Sequence, residues 1–403
     1  MAEPIQTLAI VGASTRACAA SAVRAGYQVV AADLFADADL QRVCTATRIT
    51  GYPDALANWL AAVECDAWLY TGALENHPEL ISRMAKLRPL LGNGGAALRA
   101  VRNPLILEPV LRDAGLSFPE TVDSGLRLPL DSSWLCKTYR GAGGSGVWLL
   151  NGAEALERAQ REQAVYQRFV GGVSAAALLV CSNDGGQLFG VTRQLVGDAR
   201  AGAKPWHYAG SLGPLSVGKE VDSQLAKLAE LLSRRFQLRG LVGVDLVIAN
   251  NLAWVLEINP RYSASVEVIE RITGRSAIAE HVAACGGVAQ GESRWGVSPK
   301  LPSSLGETRP RPTADTADAI ACGKVVLFAK HDVTITPAFY QWSIAQASVD
   351  LEQCRLADIP EVGQQLSIGQ PVLTVFASRL AQELDAEFGL RIADVESRLY
   401  GVK

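Results

Sequence analysis

The segment from Gly243 to Arg261 limits the fold most strongly, because its pattern predicts a β-hairpin that carries two carboxylates, an amide and an arginine. Successive side chains of a strand point to opposite faces, so Glu257 and Asn259 share one face while Leu256 and Ile258 lie on the other. The hairpin is therefore expected to have one polar face and one apolar face.

The position of Asp245 depends on the turn of this hairpin. A two-residue turn, Asn250–Asn251, places Asp245 opposite Leu256 and directs it away from Glu257. A three-residue turn, Asn250–Leu252, instead pairs Asp245 directly with Glu257. The apolar pattern of the two strands favours the three-residue turn.

Two directly opposed carboxylates repel each other, and their burial without a partner is costly. A bound cation would resolve the conflict. Asp245, Glu257 and Asn259 offer hard oxygen ligands suited to Mg²⁺ or Mn²⁺, which also binds the phosphate oxygens of a nucleotide. The alternative is a solvent-exposed hairpin that carries ordinary surface acids.

Composition excludes several classes of protein. A length of 403 residues predicts two or three domains. The net charge of -3 and the lack of a basic run argue against a nucleic-acid partner, and no apolar run of about 18 residues predicts a membrane span. The chain start lacks the basic region of a signal peptide, and the eight cysteines are scattered without a CxxC pair. These features predict a protein of the reducing cytoplasm.

The N-terminal residues predict a Rossmann-like α/β domain over residues 1–101. Thr7–Gly12 is an apolar strand that ends in glycine, a helix follows, and a second strand ends at Asp33. The dinucleotide fingerprint is incomplete, because the segment after Gly12 lacks its second and third glycines.

A loop that follows a strand of this domain contains Glu75 and Asn76. Open α/β sheets bind their ligands at the carboxyl ends of the strands, so both residues are candidates for substrate binding. A loop that only caps the next helix is an equally good interpretation.

A glycine-rich loop follows a strand that carries Lys137. The amides of Gly143, Gly144, Ser145 and Gly146 would close around a phosphate without obstruction by side chains, while the lysine supplies a positive charge. The lysine precedes the glycines, so the segment is not a P-loop. The alternative is a plain flexible turn.

The remainder of the chain is less informative. Arg193 projects from a strand and faces either the site or the solvent. Residues 286–319 are rich in Pro, Ser, Thr, Gly and charge, which predicts a linker. Residues 320–403 alternate turns with apolar strands and end in helical patterns, which predicts a small β-rich module with terminal helices.

The order of these parts resembles the ATP-grasp superfamily over roughly residues 1–285. That order is an α/β domain, Lys137 with its glycine loop, Tyr166–Val170, Gly243–Asp245 and Leu256–Arg261. Further segments resemble the predicted ATP-dependent carboligases of that superfamily, which are similar to the tyramine-glutamate ligases of methanofuran-type cofactor synthesis. These segments are 26–35, 72–76, 91–93, 208–211, 357–360 and 369–371.

The resemblance implies an α/β and α+β fold, with the Rossmann-like domain before an ATP-grasp domain at 102–285 and a glycine flap at about 133–150. It also implies a role for each motif residue. Lys137 would bind the phosphates of ATP, Asp245, Glu257 and Asn259 would hold magnesium, and Arg261 would stabilise the transferred phosphoryl group or the tetrahedral intermediate. The adenine would be read by the backbone of Gln167, Arg168, Phe169 and Val170.

Two positions depart from the pattern of the resembled family. Pro104 stands where many relatives have a first ATP-binding lysine, which leaves Arg102 as a substitute. Val173 stands where an acid is common after the hinge glycine. Neither position belongs to the predicted metal site, but both affect the predicted nucleotide contacts.

The resulting hypothesis is an enzyme that uses ATP and Mg²⁺ or Mn²⁺ to join a small-molecule carboxylate to an amine through an acyl phosphate, with release of ADP. Amino acid or cofactor biosynthesis is the expected setting. Arg261 and Arg193 are the catalytic candidates, and Ser263 and Ser265 are candidates for the carboxylate pocket. A bicarbonate-activating carboxylase and a non-catalytic ATP-binding protein are the alternatives. The oligomeric state is left open, with a homodimer as one option.

Overall fold

A computed structural model describes residues 4–287 and 319–401. The linker expected at 286–319 falls almost entirely outside these described residues. Within them, no helix is both long enough and apolar enough to cross a lipid bilayer.

The N-terminal domain is built on a four-stranded parallel sheet with strand order β3-β2-β1-β4. Its central strand is apolar and almost wholly buried, as expected when helices cover both faces of a parallel sheet. The strands are β1 (Thr7–Gly12), β2 (Gln28–Asp33), β3 (Thr45–Arg48) and β4 (Ala67–Tyr70). The helices are α1 (Arg16–Arg24), α2 (Ala38–Val43), α3 (Ala55–Ala62), α4 (Pro78–Met84) and α5 (Gly95–Val101). The predicted Rossmann-like opening is present in the structure.

A small antiparallel sheet follows, with strand order β5-β8-β6-β7. The helix before it begins where the Asn103 side chain accepts a hydrogen bond from the amide of Leu105, and the chain leaves it through Gly115 at φ +66°. The elements are α6 (Pro104–Asp113), β5 (Thr121–Val122), β6 (Trp134–Lys137), β7 (Val147–Leu149), α7 (Ala153–Arg161) and β8 (Val165–Arg168). The glycine-rich segment 138–146 is the loop that joins β6 to β7.

The largest sheet has eight antiparallel strands in the order β13-β12-β9-β10-β11-β14-β18-β16. The strands from this part of the chain onward are β9 (Val173–Ser182), β10 (Gly185–Val196), β11 (Tyr208–Gly213), β12 (Gly240–Ala249), β13 (Leu252–Asn259), β14 (Ile320–Phe328), β15 (Val333–Thr334), β16 (Leu356–Ala357), β17 (Gln365–Leu366) and β18 (Pro371–Leu380). The helices are α8 (Gly218–Arg235), α9 (Val266–Thr273), α10 (Ala277–Ala284), α11 (Pro337–Ile344) and α12 (Leu384–Tyr400).

The C-terminal residues therefore extend the central sheet. Strands β14, β16 and β18 are hydrogen-bonded into it, and only β15 and β17 form a separate two-stranded ribbon. The β-rich content predicted for residues 320–403 is present. Its strands complete the main sheet because β14 pairs with β11 across a long sequence separation, which local patterns do not encode.

One face of the central sheet is covered by helix α8. Val221, Leu225, Leu228 and Leu232 recur at helical spacing and are buried on the side of α8 that faces β9, β10 and β13. Each fully buried leucine of this kind contributes about 2 kcal/mol. The opposite face carries α9 and α10 and faces the N-terminal domain.

Buried charges join the three parts of the chain on that opposite face. Arg16 of α1 donates to Glu267 of α9 at 2.9 Å and to Asp358 at 2.9 Å, and Lys324 of β14 donates to Glu267 at 3.1 Å. Removing one partner from a buried ion pair typically costs about 3–5 kcal/mol. The N-terminal domain is thus fixed against the central sheet by specific pairs as well as by apolar contacts.

His281 of α10 forms a second link between the same two parts. Its Nδ1 accepts from the Leu241 amide at 2.9 Å, and its Nε2 lies 3.2 Å from the carbonyl oxygen of Leu91. This arrangement fits a neutral imidazole that carries its proton on Nε2. Burial lowers the pKa of His281 from 6.5 to about 4.

We expect this histidine to make the protein acid-sensitive. Unfolded chains take up a proton near pH 6.5 whereas the folded chain resists it until about pH 4, so stability falls as the pH drops through that window. The loss is on the order of 3 kcal/mol. Urea unfolding at several pH values should show a flatter pH dependence for His281→Asn than for the wild type. The exposed His331→Asn is the control, and equal slopes for all three proteins would contradict the prediction.

Candidate active site

The hairpin β12–β13 pairs Asp245 directly with Glu257, as the sequence predicts. The predicted cause is wrong. The turn has only two residues, Asn250 and Asn251, both in the left-handed region at φ 51° and 59°. A β-bulge produces the pairing of Asp245 with Glu257 instead. The next residue, Leu246, pairs with Val255, so Leu256 is the extra residue of β13.

A short hydrogen-bond network fixes Asp245. Its Oδ2 accepts from Asn259 Nδ2 at 2.9 Å and its Oδ1 accepts from Gln194 Nε2 at 2.8 Å. Burial, and then the neighbouring Glu257 carboxylate, raise the pKa of Asp245 to about 6. The repulsion between the two carboxylates is therefore still present in the folded protein.

The donor chemistry of this cluster fits a divalent cation. Two carboxylates and the Asn259 amide oxygen converge, and the Glu257 side chain is 38% exposed, which leaves it accessible to an ion. Nowhere in residues 4–287 and 319–401 do three or more His, Cys, Asp or Glu side chains converge as metal ligands. A cation here would complete its shell with water or phosphate oxygens, as Mg²⁺ commonly does.

Arg102, at the end of α5, contacts the same oxygens. Its Nη1 donates to Glu257 Oε1 and, at 2.8 Å, to Asn259 Oδ1, and its Nη2 donates to Asn76 Oδ1 at 2.9 Å. The guanidinium thus links the acid cluster to the N-terminal domain.

A cavity opens beside the acid cluster. Lys137 lies in its wall and donates to Gln167 Oε1 at 2.9 Å, and burial lowers the pKa of this lysine. The walls of the cavity come from the end of α5, from α6, from strands β6 to β8, from the glycine loop and from β13. The lining residues are Val101, Arg102, Pro104, Leu107, Phe118, Lys137, Thr138, Tyr139, Gly141, Ala142, Gly143, Gly144, Ser145, Val147, Val165, Gln167, Leu256 and Glu257.

The predicted adenine-reading segment lies only partly in this wall. Gln167 is buried in the cavity, while Arg168 and Phe169 are exposed. The Arg168 amide is bonded to the Glu120 carbonyl and the Phe169 amide to the Ser133 carbonyl. Val170 is half-buried just beyond them.

The glycine loop is docked on two neighbouring parts of the protein. The Tyr208 amide donates to the Gly143 carbonyl at 3.0 Å, and Asn76 Nδ2 donates to the carbonyls of Arg140 and Gly141, both at 3.3 Å. Gly144 packs directly against the Trp206 carbonyl. The loop therefore forms part of the cavity wall in a docked position, and residues 138–146 are called the flap below.

Arg261 is held on the N-terminal side of the cluster. It forms two hydrogen bonds to Glu75 Oε1, at 2.7 and 3.1 Å. Burial, the largest single effect, would raise the pKa of Glu75, but the charge and hydrogen bonds of Arg261 together with the Arg102 charge outweigh it and the pKa is lowered. The second oxygen of Glu75 is buried and has no hydrogen-bond partner within the described structure.

Asn93 fixes the backbone that carries Arg261. Its Nδ2 donates to the carbonyls of Arg239 and Pro260 at 2.9 and 3.0 Å, and its Oδ1 accepts from the Arg239 amide at 2.8 Å. All of its side-chain hydrogen-bonding groups are thus engaged across the domain boundary. In the sequence Asn93 stands out only as part of the resembling segment 91–93, because its contacts lie far away along the chain.

The remaining candidates separate into two groups. Ser263 and Ser265 lie at the start of α9 with their Oγ atoms 3.4 Å apart, next to the cluster. Arg193 is exposed and, by strand alternation, faces away from Asp245. Its neighbour Gln194 faces the cluster instead, and the alternation of β10 is the signal that identifies it once the register is known.

Solved structures share this architecture across the whole chain. The L-amino acid ligase of Bacillus licheniformis has a TM-score of 0.69 at 14% identity, with 98% of each chain covered. The N5-carboxyaminoimidazole synthetase of Staphylococcus aureus, complexed with ADP, has a TM-score of 0.64 at 16% identity, with 97% of each chain covered. The biotin carboxylase domain of Hydrogenobacter thermophilus 2-oxoglutarate carboxylase, complexed with MgADP and bicarbonate, has a TM-score of 0.67 at 11% identity, covering 94% of this chain and 87% of that one.

Sequence comparison gives a narrower match. The chain is 31% identical over 74 residues to the C-terminal section of the carbamoyl phosphate synthase large chain of Aquifex aeolicus, which is 18% of this chain and 14% of that relative. The chain therefore matches only a small part of the length of this curated relative.

The fold and its neighbours place the protein among those with the ATP-grasp fold, which confirms the fold predicted from the sequence. Residues 101–265 match the model of the family described as the ATP-grasp domain.

The docked flap leads to a prediction about Gly144. A Cβ at this position would lie 1.8 Å from the Trp206 carbonyl oxygen, whereas one at Gly143 meets nothing within 4 Å. Both glycines have positive φ, so the backbone cost of alanine, about 1 kcal/mol, is shared. We expect Gly144→Ala to weaken MgADP binding about tenfold by calorimetry and Gly143→Ala to stay near the wild type. Equal affinities for the two variants would contradict flap docking at Trp206.

Proposed function

We propose that the protein is an ATP-dependent, ADP-forming ligase that joins a small-molecule carboxylate to an amine through an acyl phosphate. One observation carries the proposal. A flap-lined cavity containing Lys137 opens directly onto the Asp245, Glu257 and Asn259 cluster, and Arg261 stands on the far side of that cluster. A nucleotide site and a site for an activated acid would therefore be contiguous.

The nucleotide would lie in the cavity, with its polyphosphate directed toward Lys137. Asp245, Glu257 and Asn259 would hold Mg²⁺ or Mn²⁺. When bound, the cation supplies charge neutralisation for phosphoryl transfer. The protein contributes preorganised positive charge and exclusion of water under the flap, which protects an acyl phosphate from hydrolysis.

The proposed reaction has two chemical steps and needs only ATP, the acid and the amine. An oxygen of the acid attacks the γ-phosphorus of ATP, the bond to the bridging oxygen breaks, and ADP leaves. The neutral amine then attacks the acyl carbon, the bond to phosphate breaks, and the departing phosphate takes the amine proton. Arg261 is placed to offset the charge that develops on oxygen in both steps.

The pocket for the acid and amine would lie between the N-terminal domain and the central sheet. Ser263, Ser265 and Arg261 offer hydrogen-bond donors for a carboxylate. The unpartnered oxygen of buried Glu75 offers an acceptor for an amine. Asn76 is committed to Arg102 and to the flap, so we assign it to closure of the site, and we leave exposed Arg193 outside the proposed machinery.

A screen of phosphate release against acids and amines tests the proposal, with glutamate and aromatic amines first. Release that requires both an acid and an amine supports the ligase. The alternative is a bicarbonate-activating carboxylase, favoured by the shared fold of the biotin carboxylase domain solved with bicarbonate. Release that requires bicarbonate and no other acid would establish that alternative. Nucleotide binding without turnover in any arm would contradict both.

Replacement of Glu257 gives a direct prediction. Glu257→Gln keeps the shape of the side chain and removes the charge opposite Asp245. We expect substrate-dependent ADP release to fall about 100-fold or more, with little change in the melting temperature. The exposed Glu79→Gln, 75% exposed at the side chain, is the control and should keep wild-type activity. A fully active Glu257→Gln enzyme would remove Glu257 from the mechanism.

A further inference from the structure

Arg102 contacts three oxygens that converge from different parts of the chain. Its guanidinium donates to Glu257, to Asn259 at 2.8 Å and to Asn76 at 2.9 Å, and its side chain is only 11% exposed. Charge-assisted bonds of this kind are about twice as strong as neutral ones. Arg102 is therefore the principal counter-charge of Glu257 in this structure.

Glu257 and Asn259 are also two of the three ligands proposed for the divalent cation. A guanidinium and a divalent cation that contact the same oxygens compete for them, because like charges at close distance repel in a partly buried site. Binding of the cation to Glu257 Oε1 and Asn259 Oδ1 would therefore favour movement of the Arg102 guanidinium away from both atoms.

The cavity wall offers a destination for the displaced side chain. Arg102 lines the cavity together with Lys137 and the flap. An arginine released from a carboxylate pairs well with phosphate oxygens, because its planar fork can bond two of them at once. A nucleotide in this cavity would therefore give Arg102 a new partner as the cation takes its old one.

We propose that Arg102 competes with the divalent cation for Glu257 and Asn259 and, once displaced, binds the polyphosphate of the nucleotide. This inference rests on the proposed nucleotide and metal site. Its consequence is that cation and nucleotide bind as a coupled pair, since each lowers the cost of the Arg102 movement for the other. The cation alone must break the Arg102 contacts without compensation.

The test is a pair of binding measurements with opposite expected signs. Mn²⁺ alone is titrated by electron paramagnetic resonance, and ADP is titrated by calorimetry at saturating Mg²⁺. Arg102→Ala should bind Mn²⁺ alone about tenfold more tightly and ADP about tenfold more weakly than the wild type. Arg102→Gln, which lacks the charge but retains an amide for Asn76, should shift both affinities in the same directions.

Arg99→Ala is the matched control. Arg99 lies on the same helix, is 54% exposed at the side chain and pairs with exposed Glu79, so both affinities should remain at wild-type values. Arg102→Lys keeps a compact charge and should retain more of the ADP affinity than Arg102→Ala.

Mn²⁺ affinity that is unchanged or reduced in both Arg102→Ala and Arg102→Gln, with melting temperatures near the wild type, would overturn the competition. ADP affinity that is unchanged in both variants would overturn the phosphate contact. Neither titration contains an acid or an amine, so failure of the proposed ligase activity leaves this test intact. If the protein is a working ligase but the Arg102 variants bind Mn²⁺ and ADP with wild-type affinity, only this inference is refuted.

Discussion

The direct opposition of Asp245 and Glu257 across a β-hairpin is the constraint on which the site depends. A bulge near Asp245 creates the opposition, and burial preserves it at an electrostatic cost. Hydrogen bonds from the surrounding side chains offset part of that cost. Gln194 and Asn259 donate to Asp245, while Arg102 donates to Glu257. Such an arrangement is unfavourable as a purely structural feature and becomes useful where a cation and a nucleotide share the site.

The N-terminal domain completes this site through three side chains. Glu75 holds Arg261, Asn76 holds both Arg102 and the flap, and Asn93 holds the backbone before Arg261. None of these contacts is local in sequence. The site is consequently an interdomain site, so the ion pairs and the imidazole that fix the two domains against each other also fix its geometry.

Much of the fold follows from sequence pattern. The apolar strand ending at Gly12, the glycine loop after Lys137 and the pairing of Asp245 with Glu257 were all predictable from local patterns. The bulge was not, because a three-residue turn without a bulge already satisfies the apolar alternation and gives the same Asp245–Glu257 pairing. For the same reason Gln194 was overlooked beside Arg193, since the face of a strand is decided by its distant partners. The joining of the C-terminal strands to the central sheet is likewise a long-range pairing.

The central claim is that the opposed carboxylates hold a cation together with a nucleotide. Titration of Mn²⁺ in the presence of ADP, monitored by electron paramagnetic resonance, tests it most directly when the wild type is compared with Asp245→Asn. This substitution should abolish the ADP-dependent binding of Mn²⁺ while the protein remains folded. Wild-type affinity of a folded Asp245→Asn protein for Mn²⁺ and ADP would show that the opposed carboxylates do not hold the cation.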